Sequence, residues 1–443
     1  MSAALVLSLV LSATPIKLED VRKQSRQNVQ ALQAVLAQQS AASAVTGSRA
    51  ALLPQLGASV GASRNFQGQQ LGLVTEVDPA NPGGFIQTEK PVSGNTRNAF
   101  DLSATLTQLL FDGRRWAELR QSGAIAEATK GEAVEQQATS ELEAIRRFYA
   151  LYGQQARIEV LRATVKRSED QLERARALFE AGRAAKSEAI SAEVNLGNDR
   201  ITLLQAERDL VIAQADLASW LAAPGIEEFQ AVDPGILGVK PEAPPDYTKA
   251  LELARSNRPL LTALQSRVRA ANAGVSAQWW GYFPSLSAQA RYSRGGSTVD
   301  PVFTDPKLQN NLSVGVALNW DLFNGFATGA AVRQAEYARS RAELDFAQAE
   351  RDLQAEVRRS LQQLTTQIAA TELATANRAA AVQGLAVEEE RFRAGAGSTL
   401  EVRDAQLKLT QAELSLLTNR IDVENARYAL QRATGMLSSG ETK

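Results

Sequence analysis

The sequence predicts a mainly α-helical chain with a membrane β-barrel, built from duplicated helix–strand–strand–long helix–helix units. Three observations carry this. Leu312, Val314, Val316, Leu318 and Trp320 alternate with Ser313, Gly315, Ala317, Asn319 and Asp321, so one strand face is apolar and the other small or polar. From about Phe326 to Arg393 the period becomes helical, with Leu353, Val357, Leu361, Leu364 and Ile368 on one side. Roughly 68 residues of helix rise about 100 Å. The same programme occurs earlier in the chain, and no stretch of 18 apolar residues is available to cross a bilayer as a helix.

Composition narrows the function classes. The chain has 443 residues, room for two or three ordinary domains, and its 48 basic and 49 acidic side chains leave a net charge of −1. That balance argues against a nucleic-acid partner. Much of the 44% hydrophobic content is alanine, which suits close helix–helix packing. The absence of cysteine excludes disulfides, thiolate metal sites, lipoprotein acylation and cysteine catalysis. The absence of histidine removes the usual general base and the commonest metal ligand. Neither an enzyme nor a resident cofactor is expected.

In chain order, Ala3 to Leu11 is a short apolar run followed by Ser12-Ala13-Thr14-Pro15, so residues 1–14 read as a secretory signal. No Lys or Arg precedes the run, which leaves open a start further upstream. A first repeat, 15–223, opens with a helix from Leu18 to about Leu53, its apolar side Val21, Val29, Leu32, Val35 and Leu36, ended by Pro54. A strand follows, with Leu56, Val60 and Ala62 alternating with Gly57, Gly61 and Ser63. Phe66 to Asn98, with Asn81-Pro82-Gly83-Gly84 and Pro91, reads as a long loop. A second strand runs from Phe100 to Thr107 and is stopped by Phe111-Asp112-Gly113. The long helix then extends to about Phe179, and its return partner, with Ile190, Val194, Ile201 and Leu204, ends at Ala223-Pro224-Gly225.

Residues 224–246 hold five of the fourteen prolines and read as a linker. The second repeat, 247–435, starts with a helix from Tyr247 to about Gly281 and a strand in which Leu286, Ala288, Ala290 and Tyr292 alternate with Ser287, Gln289, Arg291 and Ser293. A shorter loop leads to the strand and long helix described first, and a return helix from near Ser398 carries Leu407, Leu414, Leu417 and Ile421, before a tail at 436–443. The landmarks coincide. Leu53-Pro54-Gln55-Leu56 matches Phe283-Pro284-Ser285-Leu286, Phe111-Asp112-Gly113 matches Phe323-Asn324-Gly325, and Phe179-Glu180-Ala181-Gly182 matches Phe392-Arg393-Ala394-Gly395. Both long-helix regions lack proline, which in a helix interior costs about 3 kcal/mol.

Four strands of bilayer-crossing length cannot close a barrel, and an open edge in lipid leaves backbone groups unpaired. Several copies must pool their strands; two would give eight and three would give twelve, and the small inner faces favour three. Aromatic residues gather at the strand bases, as at a membrane interface: Phe111, Trp116, Trp279, Trp280, Tyr282, Phe283, Trp320 and Phe323.

The chain resembles the TolC-like outer-membrane efflux family over nearly all of its length. The resemblance rests on the duplicated element order, on the paired Phe111-Asp112-Gly113 and Phe323-Asn324-Gly325, on Phe392-Arg393-Ala394-Gly395 through Glu401 to Asp404-Ala405-Gln406, and on Asn257-Arg258-Pro259-Leu260. It implies a homotrimer with a twelve-stranded outer-membrane barrel on an α-helical tunnel through the periplasm of a Gram-negative bacterium. It also implies a periplasmic adaptor (membrane fusion) protein and an inner-membrane pump of the RND, MFS or ABC type as partners. Passive efflux or type I secretion would be the activity.

By the same resemblance, the turns holding Phe179 and Gly182, and Phe392, Gly395 and Gly397, lie at the periplasmic tip. Glu401 and Asp404 fall on the acidic positions that ring the pore constriction, and Glu188 on a gating partner. Gly397 stands where the family can carry a basic latch residue, and Phe392 where it can carry a tyrosine. Two other classes compete. A soluble periplasmic coiled-coil scaffold would explain the long helices but not the four alternating strands. A carboxylate-only enzyme such as a glycosidase lacks a pocket-forming fold.

Overall fold

The computed structural model describes residues 14–222, 228–238, 242–304 and 310–437. The proposed signal run Ala3 to Leu11 and the expected end of the first repeat at Pro224 lie outside them. Two structural units are formed by interleaved segments. One comprises Met1–Ala41, Ile125–Val268 and Arg341–Lys443; the other comprises Ala42–Ala124 and Arg269–Ser340.

In the helical unit, β1 (Thr14–Ile16) pairs in parallel with β6 (Phe229–Ala231), so the expected linker contributes a strand. Three-residue strands are too short to show a period. The expected first helix is interrupted: α1 (Leu18–Gln24) is followed by a single 3₁₀ turn and then α2 (Val29–Ala50). Buried Asn28 causes the break, accepting from the Gln30 amide at 2.9 Å and donating to the Trp220 carbonyl at 2.8 Å. Helix α3 (Gly113–Glu180) turns into α4 (Lys186–Trp220), and α8 (Ala327–Arg393) turns into α9 (Thr399–Ala433). The core of the unit gathers Ile145, Phe148, Tyr149, Leu217, Phe229 and Tyr428.

The helix expected from Tyr247 to Gly281 is also two, α5 (Tyr247–Asn257) and α6 (Pro259–Trp279). Proline at the first position of α6 pushes Arg258 to an extended ψ of 115°. Arg258, 3% exposed, donates to both Glu135 oxygens at 2.9 Å and to the Arg432 and Ala433 carbonyls at the end of α9 at 3.2 Å. Arg432 in turn pairs with Glu135 and Glu356. A buried guanidinium is thus held by charge and by helix-end carbonyls together.

The other unit carries a four-stranded antiparallel sheet in the order β2 (Gln55–Gln67), β5 (Asn95–Phe111), β7 (Ser285–Gly296), β8 (Asn310–Asn319). Each expected strand is present and longer than the alternation alone defined, except the last, which stops before Trp320. The segment read as a loop is largely a hairpin of β3 (Gln70–Val77) and β4 (Phe85–Val92), with Pro91 tolerated because β4 is an edge strand. A one-turn helix, α7 (Asp300–Phe303), lies in the second strand connection.

The apolar stripe of α4 is not buried within the described residues, and that of α9 is buried only in part. Ile190, Val194, Ile201 and Leu204 of α4 are 52–64% exposed, and the helix buries Ala192, Leu196, Ala206 and Leu217 instead. On α9 Leu407 is exposed, and the buried side runs through Val402, Ala405, Leu409 and Leu417. The α8 stripe through Leu353, Val357 and Leu364 is buried as its spacing required.

Candidate functional site

Both long helices end in the same way. Gly182 has φ 68° and Gly395 φ 75°, a conformation that favours glycine. The Gly182 amide donates to Phe179 O at 2.9 Å and the Arg183 amide to Leu178 O at 2.8 Å; the Gly395 and Ala396 amides repeat the pattern to Phe392 and Arg391. These are paired Schellman turns, so the duplication extends to individual hydrogen bonds.

Glu188 and Glu401 both occupy the third position of the return helices, yet their surroundings differ. Ser398 caps α9, its Oγ accepting from the Glu401 amide at 3.3 Å while the Glu401 carboxylate accepts from the Ser398 amide at 2.7 Å. That backbone hydrogen bond, helped by Arg391 at 3.8 Å, holds the Glu401 carboxyl below its usual range. Ala185 at the head of α4 has no hydroxyl to offer. Glu188 instead accepts from Thr399 Oγ1 at 3.4 Å, joining the two turns. Asp404 is exposed and pairs with Lys408 at 2.6 Å, which raises the Lys408 pKa.

Between Glu401 and Asp404, Arg403 points the other way. It makes a two-pronged ion pair with Asp199 of α4, at 2.8 and 2.9 Å, and donates to Ser168 of α3 at 3.1 Å; Ser168 also donates to Asp199. Both charged side chains are about nine-tenths buried (13% and 11% exposed). A cleft of about 250 Å³ adjoins this cluster, lined by Gln171, Glu188, Asn195, Thr399 and Gln406 among others. The sequence reading missed Arg403, because its partners lie 204 and 235 positions away.

At the two expected latch positions the structure offers other contacts. A Cβ on Gly397 would lie 3.1 Å from the Phe392 amide nitrogen, so the turn leaves little room for a side chain there. Arg391 supplies the nearby cation, with Glu388 at 2.8 Å. The Phe392 ring packs against the cluster of Leu385, Val402, Ala405 and Leu409.

The aromatic residues assemble at the foot of the sheet. Trp280 stacks edge-on to Phe111 at 5.9 Å and to Trp279 at 6.0 Å, Phe283 lies 4.8 Å from Trp279, and Trp320 donates its indole N–H to Tyr282 O at 3.0 Å. Gly113 permits this, since a Cβ there would fall 2.0 Å from the Trp280 ring. Phe323 packs on Phe326 at 5.6 Å, and Trp116 is exposed. Asp112 and Asn324, matched in the two repeats, each accept from an amide of the helix that follows, Arg114 and Thr328.

A profile of the outer membrane efflux protein family matches residues 21–223 and 250–436. The chain belongs to this family. It is an outer-membrane efflux protein, and the soluble-scaffold reading is not favoured. Outer membrane protein TolC of Vibrio cholerae is 24% identical over 427 residues, covering 95% of this chain and 91% of that protein. Alkaline protease secretion protein AprF of Pseudomonas aeruginosa is 23% identical over 400 residues, covering 89% and 79%. The Campylobacter jejuni CmeC outer membrane channel superposes with a TM-score of 0.77 at 16% identity, covering 95% of this chain and 85% of that one.

Proposed function

We propose that three copies of the chain form the exit duct of a tripartite efflux pump or type I secretion system, closed as a twelve-stranded barrel. The observation that carries this is the sheet. Its end strands, β2 and β8, each have one edge unpaired among the described residues, and both expose apolar side chains: Leu56, Val60, Leu312, Val314, Val316 and Leu318 are 63–76% exposed. Three antiparallel steps make β2 and β8 run in opposite directions. The β8 edge of one copy can therefore pair antiparallel with the β2 edge of the next, and a cyclic arrangement leaves no edge in lipid. The uncovered α4 stripe, Ile190 to Leu204, supports copy-to-copy helix packing in a periplasmic tunnel.

In this reading the turns at Gly182 and Gly395 form the periplasmic end. Glu401 and Asp404, three apart and both exposed, line the constriction, while Glu188 and Arg403 brace α9 against the first repeat. The aromatic cluster of Phe111, Trp279 and Trp280 sits at the inner membrane–water interface. A periplasmic adaptor and an inner-membrane RND, MFS or ABC pump deliver cargo to the duct, which needs no cofactor for passive exit. Mass measurement in mild detergent tests the assembly: three copies per particle are expected, and a monodisperse monomer would sink the proposal.

A further inference from the structure

The sheet register places one cation in the middle of the small, polar face. Gly57, Thr105, Arg291 and Ser313 form one row across β2, β5, β7 and β8. The row on one side is Ser59, Ser103, Ser293 and Asn311, and on the other Gln55, Thr107, Gln289 and Gly315. The opposite face carries Leu56, Leu106, Ala290 and Val314, then Ala58, Ala104, Tyr292 and Leu312. An arginine facing lipid at mid-membrane costs about 2–4 kcal/mol. The leucine–valine face also holds an arginine, Arg294, in the row Val60, Leu102 and Asn310, but it is buried and stands where β8 begins, not at mid-height. At mid-height the cost assigns the Arg291 face to the lumen and the leucine–valine face to lipid.

The guanidinium there is not neutralised. Arg291 is exposed, and among the described residues no acidic side chain pairs with it. The acid of the same face, Asp101, is in register with Gly295, four residues further along β7 and about 13 Å away at strand rise. Asp101 also leans towards β2, away from β7: a Cβ on Gly61 would lie 2.3 Å from its Oδ1. Around Arg291 the face is open, since nothing lies within 4 Å of a Cβ built on Gly57 or Gly315.

We infer that Arg291 forms a basic belt at mid-height in the barrel lumen, one guanidinium per copy, which favours anions and the carboxylate or phosphate groups of cargo at that level. The inference rests on the trimeric-channel reading. It makes the duct bipolar, since the turn end presents carboxylates and the barrel presents guanidinium groups. In a wide lumen the effect is a screened field, strong at low salt and small at high salt.

The chain has no cysteine, so a single introduced thiol reports cleanly. Reversal potentials are measured in planar bilayers under a salt gradient for wild type, Arg291→Gln and Arg291→Cys, with Leu106→Cys as the lipid-face control. At about 10 mM salt, where the Debye length is about 30 Å, Arg291→Gln is expected to shift the permeability ratio towards cations by roughly two- to five-fold. At 1 M the shift should disappear. A trimethylammonium methanethiosulfonate should restore wild-type selectivity to Arg291→Cys and a sulfonate one should push it further towards cations, whereas a merely structural defect would respond to neither. Leu106→Cys should not react from the aqueous phase. Unchanged selectivity in Arg291→Gln, or an unreactive thiol at 291 in a conducting channel, overturns the inference. A wild-type protein that conducts nothing overturns the channel reading beneath it.

Discussion

Substituting Asp199 by Asn tests whether the ion pair with Arg403 braces the return helix. The change preserves shape and removes charge. It leaves the Arg403 guanidinium, 13% exposed, facing a neutral amide and the Ser168 hydroxyl. Breaking a buried pair by removing one partner costs about 3–5 kcal/mol, and the residual exposure places this pair near the lower end, about 3 kcal/mol. For a unit of this size each kcal/mol moves the midpoint by about 2–4 °C, so a fall of about 6–12 °C is expected. Arg403→Met should cost a similar amount, because it strands the Asp199 carboxylate.

The double variant should cost less than the sum of the two, since no uncompensated charge is left. A coupling of about 2 kcal/mol is expected. The assay is thermal inactivation of the detergent-solubilised protein at one fixed scan rate, because such unfolding is commonly irreversible. Single-channel conductance of Asp199→Asn should rise as α9 loosens from α3 and α4. Single variants within about 1 °C of wild type, with additive effects and unchanged conductance, would show that the pair braces nothing.

Glu401→Ala with Asp404→Ala should weaken cation preference and enlarge conductance in bilayer recordings, and unchanged behaviour would place both carboxylates on an outer face. An epitope inserted at Gly83, in the turn between β3 and β4, should be reachable by antibody on intact cells. Burial pushes the Glu424 carboxyl up, against the opposing pull of Arg427 and the Tyr149 hydrogen bond. A raised folded pKa means this contribution is full below the unfolded pKa and is lost as pH rises through the folded one, so Glu424→Gln should raise the melting temperature at pH 7 and flatten its fall as pH rises past the ordinary carboxylate range. Gly113→Ala should destabilise the foot of the sheet, read as a lower midpoint, because its Cβ would meet the Trp280 ring.

What the sequence made legible follows from repetition and from proline. Two copies of each landmark locate the turns at Gly182 and Gly395, and proline-free stretches define both long helices. Some misses were readable. Ser398-Thr399-Leu400-Glu401 is a capping box in the bare sequence, and it assigns Glu401 a local task that the pore reading overlooked. The residue before Pro259 marked the α5–α6 break in the same way. The Leu71 and Leu73 alternation of β3 was hidden by its glycine and polar neighbours. Others were not readable. Arg403, Asp199 and Ser168 meet only because two helical hairpins pack together, and no period in one segment records a partner in another.

The uncovered α4 stripe is more instructive than the misses. Ile190, Val194, Ile201 and Leu204 have a spacing that calls for burial, yet they stay exposed within the described residues. Periodicity gives the face to be covered but never says by which molecule. The sheet makes the same argument from the backbone, with two edges unpaired among the described residues and carrying Leu56, Leu312 and Val314 at 70–76% exposed. A helix stripe and a strand edge left open for independent reasons point to one remedy, further copies of the same chain. If so, Ile190→Asp and Val194→Asp should shift mass from trimer to monomer while leaving the Arg403–Asp199 contact intact, since Asp199 lies on the opposite, buried side of α4. Monomer that keeps the wild-type sensitivity to Asp199→Asn would separate assembly from folding; trimer unchanged by both substitutions would put the α4 stripe outside the interface.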